Sequence, residues 1–391
     1  MTPPGPADLR AQLVAYLRRR GDVRSERVAA AFEVVPRHVF VPGSALEDAY
    51  DDRSIAIKLQ DGVAISSSSQ PAIMAEMLEM LALREGDRVL EIGAGSGYNA
   101  ALIAEIVGPS GAVHTVDLDE DIIAGARRHL DETGYGRVRT IQADGARGYP
   151  GGAPFDAVIA TVGVERIPPA WIEQLRLGGR LVAPLTIRSV QKVVAFERVA
   201  EGLASVAIVD AAFMMLRGPR ATSESVTIAL GDPTLTLGVF AAHAAQIDPV
   251  AIAAALRTRP HDASPLRRIR IDDVWGGFWL WLALADDACC RVTAYGPTAG
   301  AGVVPNLVPG GGASYGTATT LGTCRDGELV IFAPRGGIDV VLRRFGPAAG
   351  GVERVQSAIA SWDTAGRPGN AQLRVTVDAQ GATAIAFHGR P

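Results

Sequence analysis

A chain of 391 residues is long for one domain and sufficient for two. Its 48% hydrophobic and 20% charged content excludes global disorder. A net charge of −4 and a pI near 5.9 argue against a nucleic-acid partner, which calls for a basic domain.

Arginine carries almost all the positive charge, since Lys58 and Lys192 are the only lysines. The cysteines Cys289, Cys290 and Cys324 are too few and too closely spaced for a disulfide framework, so a reducing cytoplasm is expected. The N-terminus lacks an apolar signal-peptide core. The longest apolar stretch, residues 274–285, is too short to span a bilayer as a helix, so no membrane partner is expected.

In chain order, Leu9, Leu13, Val14 and Leu17 share one face of a predicted helix over residues 7–20. A second helix follows near 24–34. Residues 50–69 read as irregular and carry the run Ser66 to Ser69. Pro71 suits the first turn of a helix over 71–82. From Asp87 the pattern becomes strand, helix, strand, helix: "RVLEIG", "SGYNAALIAEIVG", "AVHTVDL", "EDIIAGARRHLDETG", "VRTIQA", "FDAVIATVG", "PPAWIEQLRLGG", "RLVAPL". Such alternation predicts βαβ units and a mostly parallel sheet with helices on both faces. "VVAFERV" and "VAIVDAAFMM" then predict an antiparallel edge. The alternation stops near 218–235. The expected organisation is a helical cap and substrate loop over 1–82, a core over 83–223, and a mixed α/β accessory domain over 224–391. "FWLWLALA" reads there as a buried strand, 296–313 as a long loop, and "QLRVTVDA" as the final strand.

The motif with most chemical content is "VLEIGAGSGYNAALIAE". A strand enters Gly93-Ala94-Gly95-Ser96-Gly97 and a helix begins at once. Glycines allow positive φ and close ligand approach, and the helix N-terminus offers free N–H groups. NAD enzymes use a similar turn. The acid Glu91 at the strand end and the G-x-G-x-G spacing resemble motif I of class I S-adenosylmethionine methyltransferases. Asp117, ending the next strand, can accept both ribose hydroxyls of a nucleoside, whether of that cofactor or of NAD. Asp119 reads as a helix N-cap. Asp144, ending the third strand beside Gly145, can accept an adenine amino group, or serve only as a turn residue.

"VPRHVFVP", "AYDDRSIAI", "SQPAIMAEML", "LEIGAGSGYNAALIA", "ADGARGY", "FDAVIATVG" and "PAWIEQLRLGGRLVAPL" occur in the order seen in protein L-isoaspartyl O-methyltransferases, over about residues 25–200. The chain resembles that family. The resemblance implies a Rossmann-like class I methyltransferase core using S-adenosylmethionine and releasing S-adenosylhomocysteine. It implies cofactor contacts at Glu91, Gly93, Ala94, Gly95, Gly97, Tyr98, Asp117, Leu118, Asp144 and Gly145, and no metal. Ser69 matches the family's active-site serine and Ser67 its usual threonine, with Ser68 between them. The implied substrate is a peptide or protein bearing an Asp or isoaspartyl carboxylate, whose methyl ester closes to a succinimide.

The approach "KLQDGVAISSSSQP" is longer than the family's and lacks its Gly-Gln-Thr, and the short repair enzymes have no C-terminal domain. These departures are similar to a branch that installs aspartimide or isoaspartate in ribosomally made peptide natural products. Maturation of such a precursor is therefore the expected role, with 224–391 gripping the peptide. Repair of damaged proteins is the alternative.

No histidine is motif-linked to the serines, which argues against a hydrolase triad. Ser68 or Ser69 can also cap the helix at Pro71. His38, the three cysteines and the pair Arg343 and Arg344 read as structural or solvated. From other classes, a dinucleotide oxidoreductase lacks a hydride-transfer constellation here. A degenerate binding fold conflicts with the intact glycine loop and Asp117.

Overall fold

The computed structural model describes residues 4–60, 63–188, 190–219, 225–265, 267–307 and 317–388. The chain divides into two compact units. The first comprises Met1–Leu185, Gln191–Thr222 and Arg374–Ile385; the second comprises Thr186–Val190, Ser223–Leu373 and Ala386–Pro391.

The first unit begins with α1 (Pro6–Arg20), where Pro6 opens the first turn and Gly21, at φ 85°, ends the helix. Its buried face is Leu9, Leu13, Val14 and Leu17, as the spacing predicts. α2 (Glu26–Val34), α3 (Arg37–Phe40) and α4 (Leu46–Ala49) follow. Residues 50–69, expected to be irregular, contain a hairpin of β1 (Ile55–Gln60) and β2 (Val63–Ser68). Its register pairs Ile55 with Ser68 and Ala56 with Ser67, and then shifts at Lys58, which pairs with Ser66. The period-2 run Ile55, Ile57, Leu59 was the strand signal. Asp61 and Gly62, within the stretch expected to be irregular, lie outside the described residues. α5 (Pro71–Leu81) comes next.

β3 (Arg88–Ile92), α6 (Tyr98–Val107), β4 (Ala112–Asp117), α7 (Glu120–Glu132), β5 (Arg139–Gln142), β6 (Phe155–Ala160) and α8 (Pro169–Gln174) form the alternating core. β7 (Leu175–Ile187), β8 (Val190–Val199) and β9 (Gly202–Asp210) complete the run. β7 starts earlier than expected, and the glycine pair lies inside it rather than ending a helix. A register shift opposite Phe155 and Ala157 marks a bulge there. A Cβ on Gly179 would come within 2.8 Å of the carbonyls of Arg176 and Asp156, so the bulge needs glycine.

Helices α1, α2 and α5 share one hydrophobic core with α6, β3 and β6: Leu17, Phe32, Leu78, Tyr98, Val89 and Ile159 all belong to it. Residues 1–82 therefore do not stand apart as a cap.

The second unit contains β10 (Ser225–Ala229), β11 (Leu235–Phe240), β12 (His261–Ala263), β13 (Cys289–Tyr295), β14 (Thr317–Arg325), β15 (Glu328–Arg335) and β16 (Asp339–Phe345). They form an antiparallel sheet in the order β10-β11-β13-β14-β15-β16-β12. "FWLWLALA" is helical here, not a strand: Trp279–Ala283 is an α-helix following a π turn at Val274–Phe278. Every side chain of that helix is buried, and a continuous apolar run suits a buried helix as well as a buried strand. The expected loop 296–313 holds a short helix, Gly296–Gly300; residues 308–313 lie outside those described.

The last two strands, β17 (Leu373–Asp378) and β18 (Thr383–Phe387), return to the first unit's sheet. Its order is β18-β17-β9-β8-β7-β6-β3-β4-β5. β17 pairs antiparallel with β9, so β8 and β9 are interior strands, and the expected continuous domain 224–391 gives up its C-terminal strands. The sequence break at 224 lies among undescribed residues.

β3 pairs in parallel with both β4 and β6. The chain leaves β3 through β4 to β5, then returns to β3's other side as β6. This reversal opens a crevice beyond the strands' carboxyl ends, where ligands bind in such sheets.

Candidate active site

The turn after β3 lies at that crevice. Gly93, Gly95 and Gly97 have φ of 98°, 51° and 88°, values that side-chain-bearing residues rarely adopt. A Cβ on Gly93 would sit 2.5 Å from Thr161 Oγ1, and one on Gly97 3.2 Å from the Ala126 carbonyl. On Gly95 it would face the Ser67 carbonyl at 3.3 Å. The serine hairpin thus passes directly over the glycine loop.

Glu91 does not face the crevice. It is fully buried, and its two oxygens accept hydrogen bonds from Asn99 Nδ2 at 2.7 Å and Thr115 Oγ1 at 2.6 Å. Burial pushes its carboxyl up to about 7 against those two donors. Its place is that of a brace joining β3, β4 and α6. The Tyr98 side chain is buried likewise. It is 2% exposed and packs against Phe32, Phe40 and the Arg37 guanidinium. Ala94 is buried with Ile123 and Ala126.

Asp117 ends β4 at the crevice. Its Oδ1 accepts the Leu118 N–H at 2.8 Å and its Oδ2 the Gly95 N–H at 3.2 Å. Burial raises its pKa, and the N–H donors of Gly95, Asp119 and Leu118 oppose that rise. Leu118 lines an open cleft of about 630 Å³ with Lys58, Asp119 and Gln142. Asp144 accepts the Ala146 N–H at 3.0 Å and caps a single turn, Gly145–Arg147, so the turn role is present in its geometry. A Cβ on Gly145 would strike Ile92 at 2.7 Å. Asp119 sits at the N-cap of α7 without a side-chain cap bond. It pairs instead with Lys58 and Arg217, each at 2.9 Å.

The four serines separate by strand alternation. Ser66 and Ser68 are buried, whereas Ser67 and Ser69 are half-exposed. The Ser68 hydroxyl has no hydrogen-bond partner. None of them caps α5, because Asp52 Oδ1 takes the Ala72 N–H at 2.8 Å. Asp52 Oδ2 also accepts from Gln70 Nε2 at 2.9 Å.

Arg37 escaped the sequence reading. Its fully buried guanidinium donates to the carbonyls of Ala49, Asp51, Arg53 and Ser69 at 2.9–3.0 Å. The signal was an arginine set between apolar residues in "VPRHVF", since a buried arginine must find several acceptors.

The glycine loop open to close approach, the carboxylate of Asp117 and the apolar Leu118 fit an adenosyl cofactor. A turn of this kind at the switch point, with an acid on the next strand, binds an adenosine-bearing cofactor, and the fold with its family match is that of a class I S-adenosylmethionine-dependent methyltransferase. Residues 8–217 match the family model for protein-L-isoaspartate(D-aspartate) O-methyltransferase, and the chain belongs to that family. The enzyme is therefore an S-adenosylmethionine-dependent carboxyl O-methyltransferase.

The chain is 42% identical to protein-L-isoaspartate O-methyltransferase of Methanopyrus kandleri over 194 residues, 49% of this chain and 84% of that one. It is 43% identical to the protein of that name from Methanoculleus marisnigri over 185 residues, 47% of this chain and 80% of that one. A solved structure described as a protein-L-isoaspartate O-methyltransferase matches 97% of this chain and 99% of its own, with TM-score 0.55 at 22% identity. That likeness, one of fold, extends through the C-terminal region. Among the described residues, no helix is long and apolar enough to cross a membrane.

Proposed function

We propose that the enzyme methylates the free carboxylate of an isoaspartyl residue in a protein or peptide, and that the ester then closes to a succinimide. The observation that carries this reading is the seating of Ser67 over Gly95, with Ser69 two residues on. The main chain of Ser67 meets the cofactor loop, and Ser67 and Ser69 are both partly exposed.

A carboxylate with an ordinary pKa of about 3.9 is already ionised at neutral pH, so the acceptor needs no general base. Bound S-adenosylmethionine supplies an electrophilic methyl group. The chain's task is to hold the acceptor carboxylate in line and to exclude water, effects worth about 7–11 kcal/mol when alignment is good. Ser69 donates one hydrogen bond to the carboxylate, and the glycine loop, Asp117 and Leu118 hold the cofactor. The relatives match across at least four-fifths of their own lengths but under half of this chain, so they do without its C-terminal region. In this reading that region grips the substrate polypeptide away from the reacting residue. The free, buried cysteines support a reducing, cytoplasmic setting.

A second reading, maturation of a peptide natural product at an Asp, is favoured by the serine-rich approach to "SQP". Mass spectrometry separates the two. An isoaspartyl peptide should gain one methyl, then lose methanol and finish one water lighter than it began. Methylation of an Asp peptide encoded beside the gene, with the isoaspartyl peptide untouched, would overturn the first reading.

A further inference from the structure

Two segments of the first unit roof the crevice. One is the serine hairpin, seated on Gly95 through Ser67. The other is residues 211–218, which cross the strand ends. Gly163, just past β6, donates to the Met214 carbonyl and accepts from the Leu216 N–H, both at 2.7 Å. A Cβ on Gly218 would lie 3.1 Å from Asp144 Oδ1. The roof therefore runs from the end of β6 to the end of β5.

Asp119 joins the two segments. Its Oδ2 accepts from Lys58 Nζ on the hairpin at 2.9 Å and from Arg217 Nη2 on the crossing segment at 2.9 Å. Lys58 also reaches Asp121 at 2.7 Å. Asp119 stands two residues after Asp117, at the rim of the cleft lined by Lys58 and Leu118. Its side chain is 17% exposed, while those of Lys58 and Arg217 are 29% and 40% exposed.

We propose that Asp119 is a positioning residue, an ionic clasp that holds the hairpin and the 211–218 segment together over the cofactor crevice and must open for the cofactor to leave. Its partners are half-exposed, so each ion pair is weak, as a clasp that opens in every turnover requires. It acts through Ser67 and Ser69, whose hairpin it anchors, and touches no reacting atom.

The test uses the full chain and S-adenosylhomocysteine, with its release followed by stopped-flow fluorescence. Asp119→Asn keeps the side-chain shape and removes the charge, and should speed release about three- to tenfold. Lys58→Met and Arg217→Met should each speed it less, and Arg217→Met should add nothing to Asp119→Asn. Raising the salt to ~0.5 M should speed release from the wild type more than from Asp119→Asn, which keeps only the Lys58–Asp121 pair to be screened. A merely structural aspartate moves the melting temperature and not this salt dependence. Release from Asp119→Asn within twofold of wild type, or effects of Arg217→Met and Asp119→Asn that multiply fully, would overturn the proposal. If Asp119→Asn does not fold, the Lys58→Met and Arg217→Met pair, with its double variant, decides on the same criteria. No methyl acceptor enters the measurement, so its outcome is independent of the isoaspartyl reading.

Discussion

Arg37 Nη2 donates a hydrogen bond to the Ser69 carbonyl at 3.0 Å, across 32 positions of sequence. The same side chain holds three carbonyls of the segment that leads into the hairpin. The end of the serine run is therefore set by a buried guanidinium belonging to the helical region. Lysine cannot reproduce this, because an ammonium is a point donor and the guanidinium is a planar fork. Arg37→Lys should lower stability by about 2–4 kcal/mol in chemical denaturation. In the folded fraction it should cut methyl transfer while leaving S-adenosylhomocysteine affinity within a few-fold. A variant as stable and active as wild type would remove Arg37 from this role.

The serines differ in what their hydroxyls do. Ser69→Ala should lower turnover while cofactor affinity and melting temperature stay near wild type, since the α5 cap belongs to Asp52. Asp52→Ala should cost about 1 kcal/mol of stability. Ser68→Ala should be neutral or slightly stabilising, because its buried hydroxyl bonds nothing. Equal turnover of Ser69→Ala and wild type would retire the catalytic serine.

Asp117 answers for the cofactor. Asp117→Ala should weaken S-adenosylmethionine binding by about 1–3 kcal/mol in calorimetry, through loss of charge-assisted bonds and of the acceptor for the Gly95 N–H. NAD should give no heat with the wild type. Unchanged S-adenosylmethionine affinity in Asp117→Ala would refute its assignment.

Glu91 makes stability depend on pH. Its folded carboxyl titrates near 7 against an ordinary value of 4.5. Below about pH 4.5 both states hold the proton and its burial carries no ionic penalty. Between about 4.5 and 7 the unfolded chain loses the proton first, so stability falls as pH rises. The fall attributable to Glu91 is about 2–3 kcal/mol. Glu91→Gln should flatten this slope, with its amide donating to Thr115 and its carbonyl accepting from Asn99. Denaturation of both proteins at pH 5 and pH 7 measures the difference, and parallel slopes would contradict it.

The glycine loop, Asp117 and the alternating core were legible from the amino-acid sequence because each is local. A strand, a turn needing positive φ and a helix lie within about a dozen residues, and their periodicities name them. The family likeness, too, was carried by short ordered motifs. What a side chain faces was not legible. Glu91 and Tyr98 lie in or beside the motif, yet their burial depends on Thr115, Phe32 and Phe40, which reach them only when the chain folds. The serine run spells four equivalent residues, and pairing with β1 is what turns Ser68 inward and leaves Ser67 and Ser69 at the rim. Likewise β17 reads as a strand in sequence, but its partner β9 lies some 170 positions back. The clasp joins Lys58, Asp119 and Arg217 over spans of 61 and 98 positions. Such contacts form when apolar burial closes long loops, and no pattern within a short window encodes which distant partner each loop delivers.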